Sequence, residues 1–164
     1  MSTPFKDIQH AVAGGDYAAL VDAIPYAAFL GLHVETDAPD ARDGERIFCM
    51  PYRDDLVGNT HLPALHGGTV AGLLELSMQL EVLIAESEQR LPYPVDFTID
   101  YWLSARPVEC RVACRLIRSG RHIAQVQAEC WQTGRDKPIA FARADFLLRT
   151  MDDNSGENTD DAPV

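Results

Sequence analysis

Hydrophobic positions divide this chain into distinct patterns. Within residues 70–84 they fall on every side of a helix: Val70, Leu73, Leu74, Leu76, Met78, Leu80, Val82, Leu83 and Ile84. A helix apolar all round is buried all round. Beyond residue 95 the period changes to two, the signature of half-buried strands. Val95, Phe97, Ile99, Tyr101 and Leu103 alternate with Asp96, Thr98 and Asp100. Cys110, Val112, Cys114 and Leu116 alternate with Arg111 and Arg115. Two more strands are expected at about 122–132 and 138–149, with small inner residues such as Ala124, Ala128, Ala140, Ala142 and Ala144. Ser119-Gly120 and Thr133-Gly134-Arg135-Asp136 supply the turns between them.

Upstream, residues 5–30 carry helical spacing. Gly14-Gly15 is expected to break this stretch, Asp16 to cap the second piece, and Pro25 to start another that ends at Gly31. Residues 32–37 and 45–50 are expected to form a hairpin. Pro51, Gly58 and Pro63 mark 51–65 as a long connection, and Leu91-Pro92-Tyr93-Pro94 is expected to be an extended linker. The order is helix, two strands, one buried helix, four strands. Short turns predict that the last four strands form an antiparallel meander. The expected fold class is α+β, a curved antiparallel sheet wrapped around one long central helix. The expected division is an N-terminal helical segment at 1–31, the sheet-and-helix domain at 32–150, and a disordered acidic tail at 151–164.

The length of 164 residues suits one domain with a real core. The net charge is −11, yet residues 106–149 hold eight arginines and Lys137 against Glu109, Glu129, Asp136 and Asp145. An acidic chain is a poor partner for nucleic acid, while its locally basic second half suits a small polyanionic ligand. Glu75, Gln79 and Glu81 interrupt the longest apolar run, so no membrane span is expected. No basic-then-apolar leader opens the chain, so a cytoplasmic location is expected. Cys49, Cys110, Cys114 and Cys130 show no metal-ligand spacing, and no metal is expected. Cys110 and Cys114 would lie roughly 13 Å apart on one strand, too far for a disulfide. Small buried thiols in a reducing compartment are the simpler reading.

The chemistry concentrates where the glycine pair Gly67-Gly68 opens the apolar helix. The first N–H groups of a helix lack internal partners and sit at its positive end. Glycine there admits a substrate oxygen closely, which is the design of an oxyanion hole. One carboxylate, Glu75, interrupts the apolar surface, and burying it is expensive unless it has partners or a task. It lies about 12 Å along the axis from Gly67. One carbonyl cannot touch both, so joint action requires Glu75 of a second subunit across an isologous dimer. The bland alternative is a Glu75 bonded to its neighbours beside glycines that merely pack.

His66-Gly67-Gly68 with Glu75 nine residues after the histidine, Asn59 upstream, Val95-Asp96-Phe97-Thr98-Ile99-Asp100-Tyr101 after the helix, and Ser119-Gly120-Arg121 at the next hairpin form a recognisable set. Over about residues 25–149 it resembles hotdog-fold acyl-CoA thioesterases of the phenylacetate-pathway (PaaI-like) type. The resemblance implies hydrolysis of an acyl-CoA with Glu75 as general base or nucleophile. It implies that the Gly67 N–H polarises the thioester carbonyl, with Asn59 assisting. His66 is expected to be a structural or capping group. Gly68, Ser77, Met78 and Gln79 would lie on the substrate side. Some relatives carry Ser or Thr just before the Val-Asp strand; here Pro94 stands there, so that group is missing or is replaced by Ser77 or Gln79. Arg106, Arg118 and Arg121 are candidates for the phosphates of coenzyme A, which enters as part of the substrate and not as a cofactor. Phe48, Met50, Tyr52 and Met78 are candidates for an acyl pocket and equally for the core. The expected assembly is a homodimer, with a dimer of dimers as the larger alternative.

Two rivals remain. His61 precedes Glu75 by fourteen residues, a spacing similar to that of hotdog hydroxyacyl thioester dehydratases, and His61-Leu62-Pro63 half resembles their His-Phe-Pro. Those enzymes lack the glycine pair. A non-catalytic acyl-CoA binding protein is the second.

Overall fold

The computed structural model describes residues 4–86 and 90–149. Three short helices come first: α1 (Pro4–Gly14), α2 (Tyr17–Asp22) and α3 (Pro25–Leu30). The breaks fall where the sequence places them. The Asp16 carboxylate accepts from Ala19 N at 3.0 Å and caps α2. Gly31 ends α3 at φ 68°, a left-handed conformation that suits glycine. Strands β1 (His33–Glu35) and β2 (Ile47–Met50) form the expected hairpin, with His33 opposite Cys49. The long connection contains a single 3-10 turn at Asp54–Leu56 and a small hairpin, β3 (Val57–Asn59) with β4 (Ala64–Leu65). The central helix α4 (Gly67–Ala85) follows, then β5 (Leu91–Tyr101), β6 (Cys110–Ser119), β7 (Ile123–Trp131) and β8 (Ala140–Arg149).

The main sheet is antiparallel in the order β1-β2-β6-β7-β8-β5. This corrects the expected meander. Strands β6, β7 and β8 follow one another as neighbours through short connections, but β5 pairs with β8 at the far edge. The reason is the 102–109 connection, which carries the chain across the sheet instead of turning it back. The 91–94 segment is likewise strand and not linker, with Pro92 opposite Leu148 and Pro94 opposite Phe146. Proline cannot donate to a ladder, so it is tolerated on an edge strand. The register shifts between Pro94 and Asp96, which upsets the simple alternation. Val95, beside the shift, is 63% exposed, and Leu103 lies past the strand end, whereas Phe97, Ile99 and Tyr101 keep one face, opposite the buried Ala144, Ala142 and Ala140.

The sheet curves around α4, the hotdog arrangement. Leu73, Leu74, Met78 and Leu80 on the helix are fully buried, and Val112, Val126, Ala128, Ala142 and Phe146 belong to the same core. The inner alanines admit the helix backbone close to the sheet. By length and composition α4 could cross a bilayer; here the strands enclose it instead. Leu20, Ala27 and Leu30 join α2 and α3 to this core. The expected acidic tail lies outside the described residues.

On the outer face of the sheet, residues 36–46 cover Ile47, Cys49, Ala113 and Trp131. Two arginines hold this cover down. Arg111 bonds Asp40 in bidentate fashion and also Glu35 and Glu109. Arg135 bonds Glu45 and Glu129 and lies over the Trp131 ring at 5.0 Å. Burial alone would raise the Asp40 carboxyl, but hydrogen bonds from Arg111 and Trp131 outweigh it and hold it below its ordinary value. Arg135 chiefly holds Glu45 low. Both groups therefore bind protons less readily folded than unfolded. Their stabilisation is complete above about pH 5 and is lost as the pH falls through the lowered folded values. Thermal unfolding across pH 3 to 7 is expected to show Tm falling below about pH 5, with a shallower acid limb for the Asp40→Asn, Glu45→Gln double variant. An unchanged acid limb in that variant would contradict the clamp.

Candidate active site

The start of α4 is assembled from three directions. His66 caps the helix: its Nδ1 accepts from Gly68 N at 3.0 Å, and its carbonyl accepts from Thr69 N at 2.9 Å. The Gly68 N–H is therefore occupied. The Gly67 N–H donates to no acceptor among the described residues, and Gly67 is exposed. From the end of β5, the Tyr101 hydroxyl donates to Gly67 O at 2.7 Å. Burial pushes the Tyr101 phenol up, which keeps it a hydrogen-bond donor. From the third side, β3 lies so close that a Cβ on Gly58 would meet His66 Cα at 2.7 Å. The helix start is thus fixed, and the Gly67 N–H is left unpaired among the described residues.

Beside it lies a cavity of about 370 Å³. Gly67 and Tyr101 form one wall; Leu65, Val70, Trp102 and Ile139 make it largely apolar. Asn59 sits in the adjacent β3–β4 turn, where its Oδ1 accepts from His61 N at 3.0 Å and Leu62 N at 3.2 Å. Its oxygen is committed to that turn, while its amide N–H groups are not. His61 is exposed on the same turn.

Glu75 does not line this cavity. It is half-buried further along α4, on the strip that includes Ala71 and Gly72. A Cβ on Gly72 would meet Tyr26 Oη at 2.8 Å, so the Tyr26 ring of α3 lies on the helix one turn before Glu75. Three other polar side chains of α4 are satisfied within the chain. Glu81 takes a bidentate pair from Arg46. Gln79 donates to Pro92 O at 3.0 Å, and Ser77 donates to Leu73 O at 2.7 Å. Glu75 makes no hydrogen bond or ion pair with any described residue. Its bland alternative, a carboxylate bonded to its neighbours, is not found among them.

The remaining candidates separate. Ser77 is fully buried and turned onto its own helix, so neither it nor the Pro92-bound Gln79 is free to take the place of the missing Ser or Thr. Met78, Phe48 and Met50 are core, whereas Tyr52 is exposed and bonded to Asp54. Arg118 and Arg121 lie at the β6–β7 hairpin, which Arg90 ties to the far end of α4 by bonding Gly120 O and Arg121 O. That end is about 28 Å from Gly67 along the helix. Arg106 lies at the Gly67 end, in the 102–109 connection that Leu65 N joins through Ala105 O. The three arginines therefore cannot serve one site within one chain. Donor atoms of His33, Glu35 and Cys49 lie within 4.8 Å of one another. Glu35 is committed to Arg111, and burial pushes the Cys49 thiol up to about 12, away from the thiolate that ligates metals. All four cysteines are free.

Tyr101, Tyr26 and Gly58 escaped the sequence reading. Alternation placed Tyr101 on the inner face, where it lies opposite Ala140, but its bond to Gly67 is a tertiary contact that no local pattern encodes. Gly58 was visible as a chain breaker, but its contact with His66 is tertiary.

The family model for the acyl-CoA thioesterase N-terminal domain matches residues 58–147. No curated protein matches the chain by sequence. Among solved structures, a protein from Chromobacterium violaceum is 31% identical, covers 90% of this chain and 97% of its own, and superposes with a TM-score of 0.68. A thioesterase from Haemophilus influenzae is 17% identical over 82% of this chain and 91% of its own, at a TM-score of 0.70. A phenylacetic acid degradation-related protein from Ralstonia eutropha is 19% identical over 88% of this chain and 99% of its own, at 0.67.

The contact of β3 with the helix start yields a stability test. Gly58→Ala places a methyl group against the His66 backbone and is expected to cost about 1–3 kcal/mol, the usual range for overpacking. Urea unfolding measures it. An unchanged midpoint would show that β3 yields freely and does not fix the helix start.

Proposed function

Since the chain belongs to the hotdog-fold acyl-CoA thioesterase family, we propose that it hydrolyses an acyl-CoA thioester, of the PaaI-like kind, in a homodimer. One observation carries the reading: Glu75 is the half-buried carboxylate of the central helix that lacks a partner among the described residues. A base or nucleophile needs that freedom. The unpaired Gly67 N–H is its complement, a donor at the positive end of the same helix. The two groups are separated along one helix, so the proposal pairs Glu75 of one protomer with Gly67 of the other. The free edge of β5, with exposed Val95, Tyr101, Trp102 and Leu103, supports a second copy there.

In this scheme the thioester carbonyl oxygen accepts from Gly67 N–H. Glu75 takes a proton from water as the water oxygen bonds to the carbonyl carbon. The tetrahedral oxyanion is stabilised by the N–H and the helix dipole. Collapse breaks the C–S bond, and the departing sulfur receives the proton from Glu75. Direct attack by Glu75 would instead form a mixed anhydride that water then opens. Heavy-oxygen water under single turnover distinguishes the two by labelling Glu75 only in the second. Thioesters are activated enough for a carboxylate alone, so the proposed cycle calls on no cofactor beyond the CoA of the substrate. A cytoplasmic location fits the same proposal.

Two substitutions test it. Glu75→Gln is expected to lower kcat about a hundredfold or more. Gly67→Pro removes the proposed donor at the first helical position, where proline is well tolerated, and is expected to lower kcat by about 10²–10³-fold. A hydrolysis screen over short, medium, long and aromatic acyl-CoAs supplies the substrate, and circular dichroism checks the fold. Full activity in either folded variant contradicts the assigned role.

A further inference from the structure

The cavity beside Gly67 does not end at the helix. Leu103, Ser104 and Ile139 are also walls of a second cavity of about 370 Å³, whose other residues include Arg106 and Lys137. The two cavities adjoin at these shared walls. The one at Gly67 is lined mostly by apolar side chains, and the second carries two cations and no carboxylate. In a chain with 25 acidic and 14 basic residues, that end differs in sign from the molecule as a whole.

Six of the arginines are already used. Arg42, Arg46, Arg53, Arg90, Arg111 and Arg135 each pair with a carboxylate. The Arg106 and Lys137 side chains make no hydrogen bond or ion pair with any described residue. Their backbones are nevertheless fixed. Arg106 N donates to Gln132 Oε1 at 2.9 Å, and Gln132 Nε2 returns a bond to Arg106 O at 2.8 Å. Lys137 N donates to Gly134 O at 3.0 Å in the β7–β8 turn. Two cations without a partner among the described residues, on anchored backbone and in the cavity next to the proposed oxyanion donor, suit a substrate with an anionic end.

We propose that the two cavities act as one groove that receives one arm of the thioester, and that Arg106 and Lys137 together bind the anion at its tip. The proposal rests on the thioesterase reading. Two arms diverge from a thioester carbonyl. One is pantetheine, which ends in the phosphates of CoA; the other is the acyl chain, which ends in an anion only when it bears a distal carboxylate. Both present the same chemistry to Arg106 and Lys137. Arg118 and Arg121 of the same chain lie at the opposite end of α4 and have no part in it.

The test compares three substrates on wild type, Arg106→Gln, Lys137→Gln and the double variant. They are an acyl-CoA turned over by wild type, the same acyl group on N-acetylcysteamine, and an N-acetylcysteamine thioester whose acyl chain ends in a carboxylate. Loss of a distal anchor raises KM and leaves kcat in place. Each single variant is expected to raise KM about fivefold or more for the substrate whose anion it binds, in line with charge-assisted hydrogen bonds. A rise confined to acyl-CoA assigns the groove to the phosphates. A rise confined to the carboxylated substrate assigns it to the acyl chain. Either supports the proposal. KM unchanged within about twofold on all three substrates, or an equal loss on all three including the uncharged one, overturns it while wild-type turnover leaves the thioesterase reading standing. A wild type that hydrolyses none of the three fails that reading, and the groove proposal with it.

Discussion

A helix enclosed by a sheet keeps contact with its surroundings at its first turn and along one side. In this chain those two places carry the chemistry, and the rise of the helix keeps them about 12 Å apart. Among the described residues, Gly67 offers an unpaired N–H at the first turn and Glu75 an unpartnered, half-buried carboxylate on the side. The burial of Leu73, Leu74, Met78 and Leu80 fixes both positions by fixing the helix. Bringing them to one reacting carbonyl is then a problem of assembly, not of local rearrangement.

Much of the remaining structure makes the first turn rigid. His66 occupies the next N–H, so the free donor is singled out. Tyr101 fixes the Gly67 carbonyl from the end of β5, and β3 closes against His66 where only a glycine fits. Preorganised donors of this kind need little reorientation as charge develops on a substrate oxygen. The Arg111 and Arg135 clamps serve a different purpose. They hold the 36–46 cover on the outer face, away from the helix start.

The central helix, its glycine opening, the N-terminal breaks and the first hairpin were legible because each rests on local chemistry: apolar periodicity, Asp16 as a cap, Gly31 at positive φ. The place of β5 was not legible. Its alternation matched a core strand, while its pairing depends on a crossover that no local pattern encodes. Pro92 and Pro94 carried the edge signal, but they suggested a linker. The site divides the same way. Glu75 and Gly67 stood out as polar or flexible exceptions in an apolar stretch. Tyr101, Tyr26 and Lys137 matter through contacts and cavities that exist only after folding. The arginines looked equivalent in sequence, yet Arg111 and Arg135 are structural, and Arg106 lies at the other end of the molecule from Arg118 and Arg121.

The most direct test of the central claim mixes two defects. Glu75→Gln and Gly67→Pro chains, each inactive alone, are co-expressed and the mixed dimer is isolated or assayed in the mixture. If the carboxylate and the amide come from different protomers, every mixed dimer contains one site with both groups intact. Random pairing then restores about one quarter of wild-type activity. If the mixture stays as inactive as its parents while mixed dimers are shown to form, both groups do not act across the interface, and the account given for this fold's chemistry is wrong.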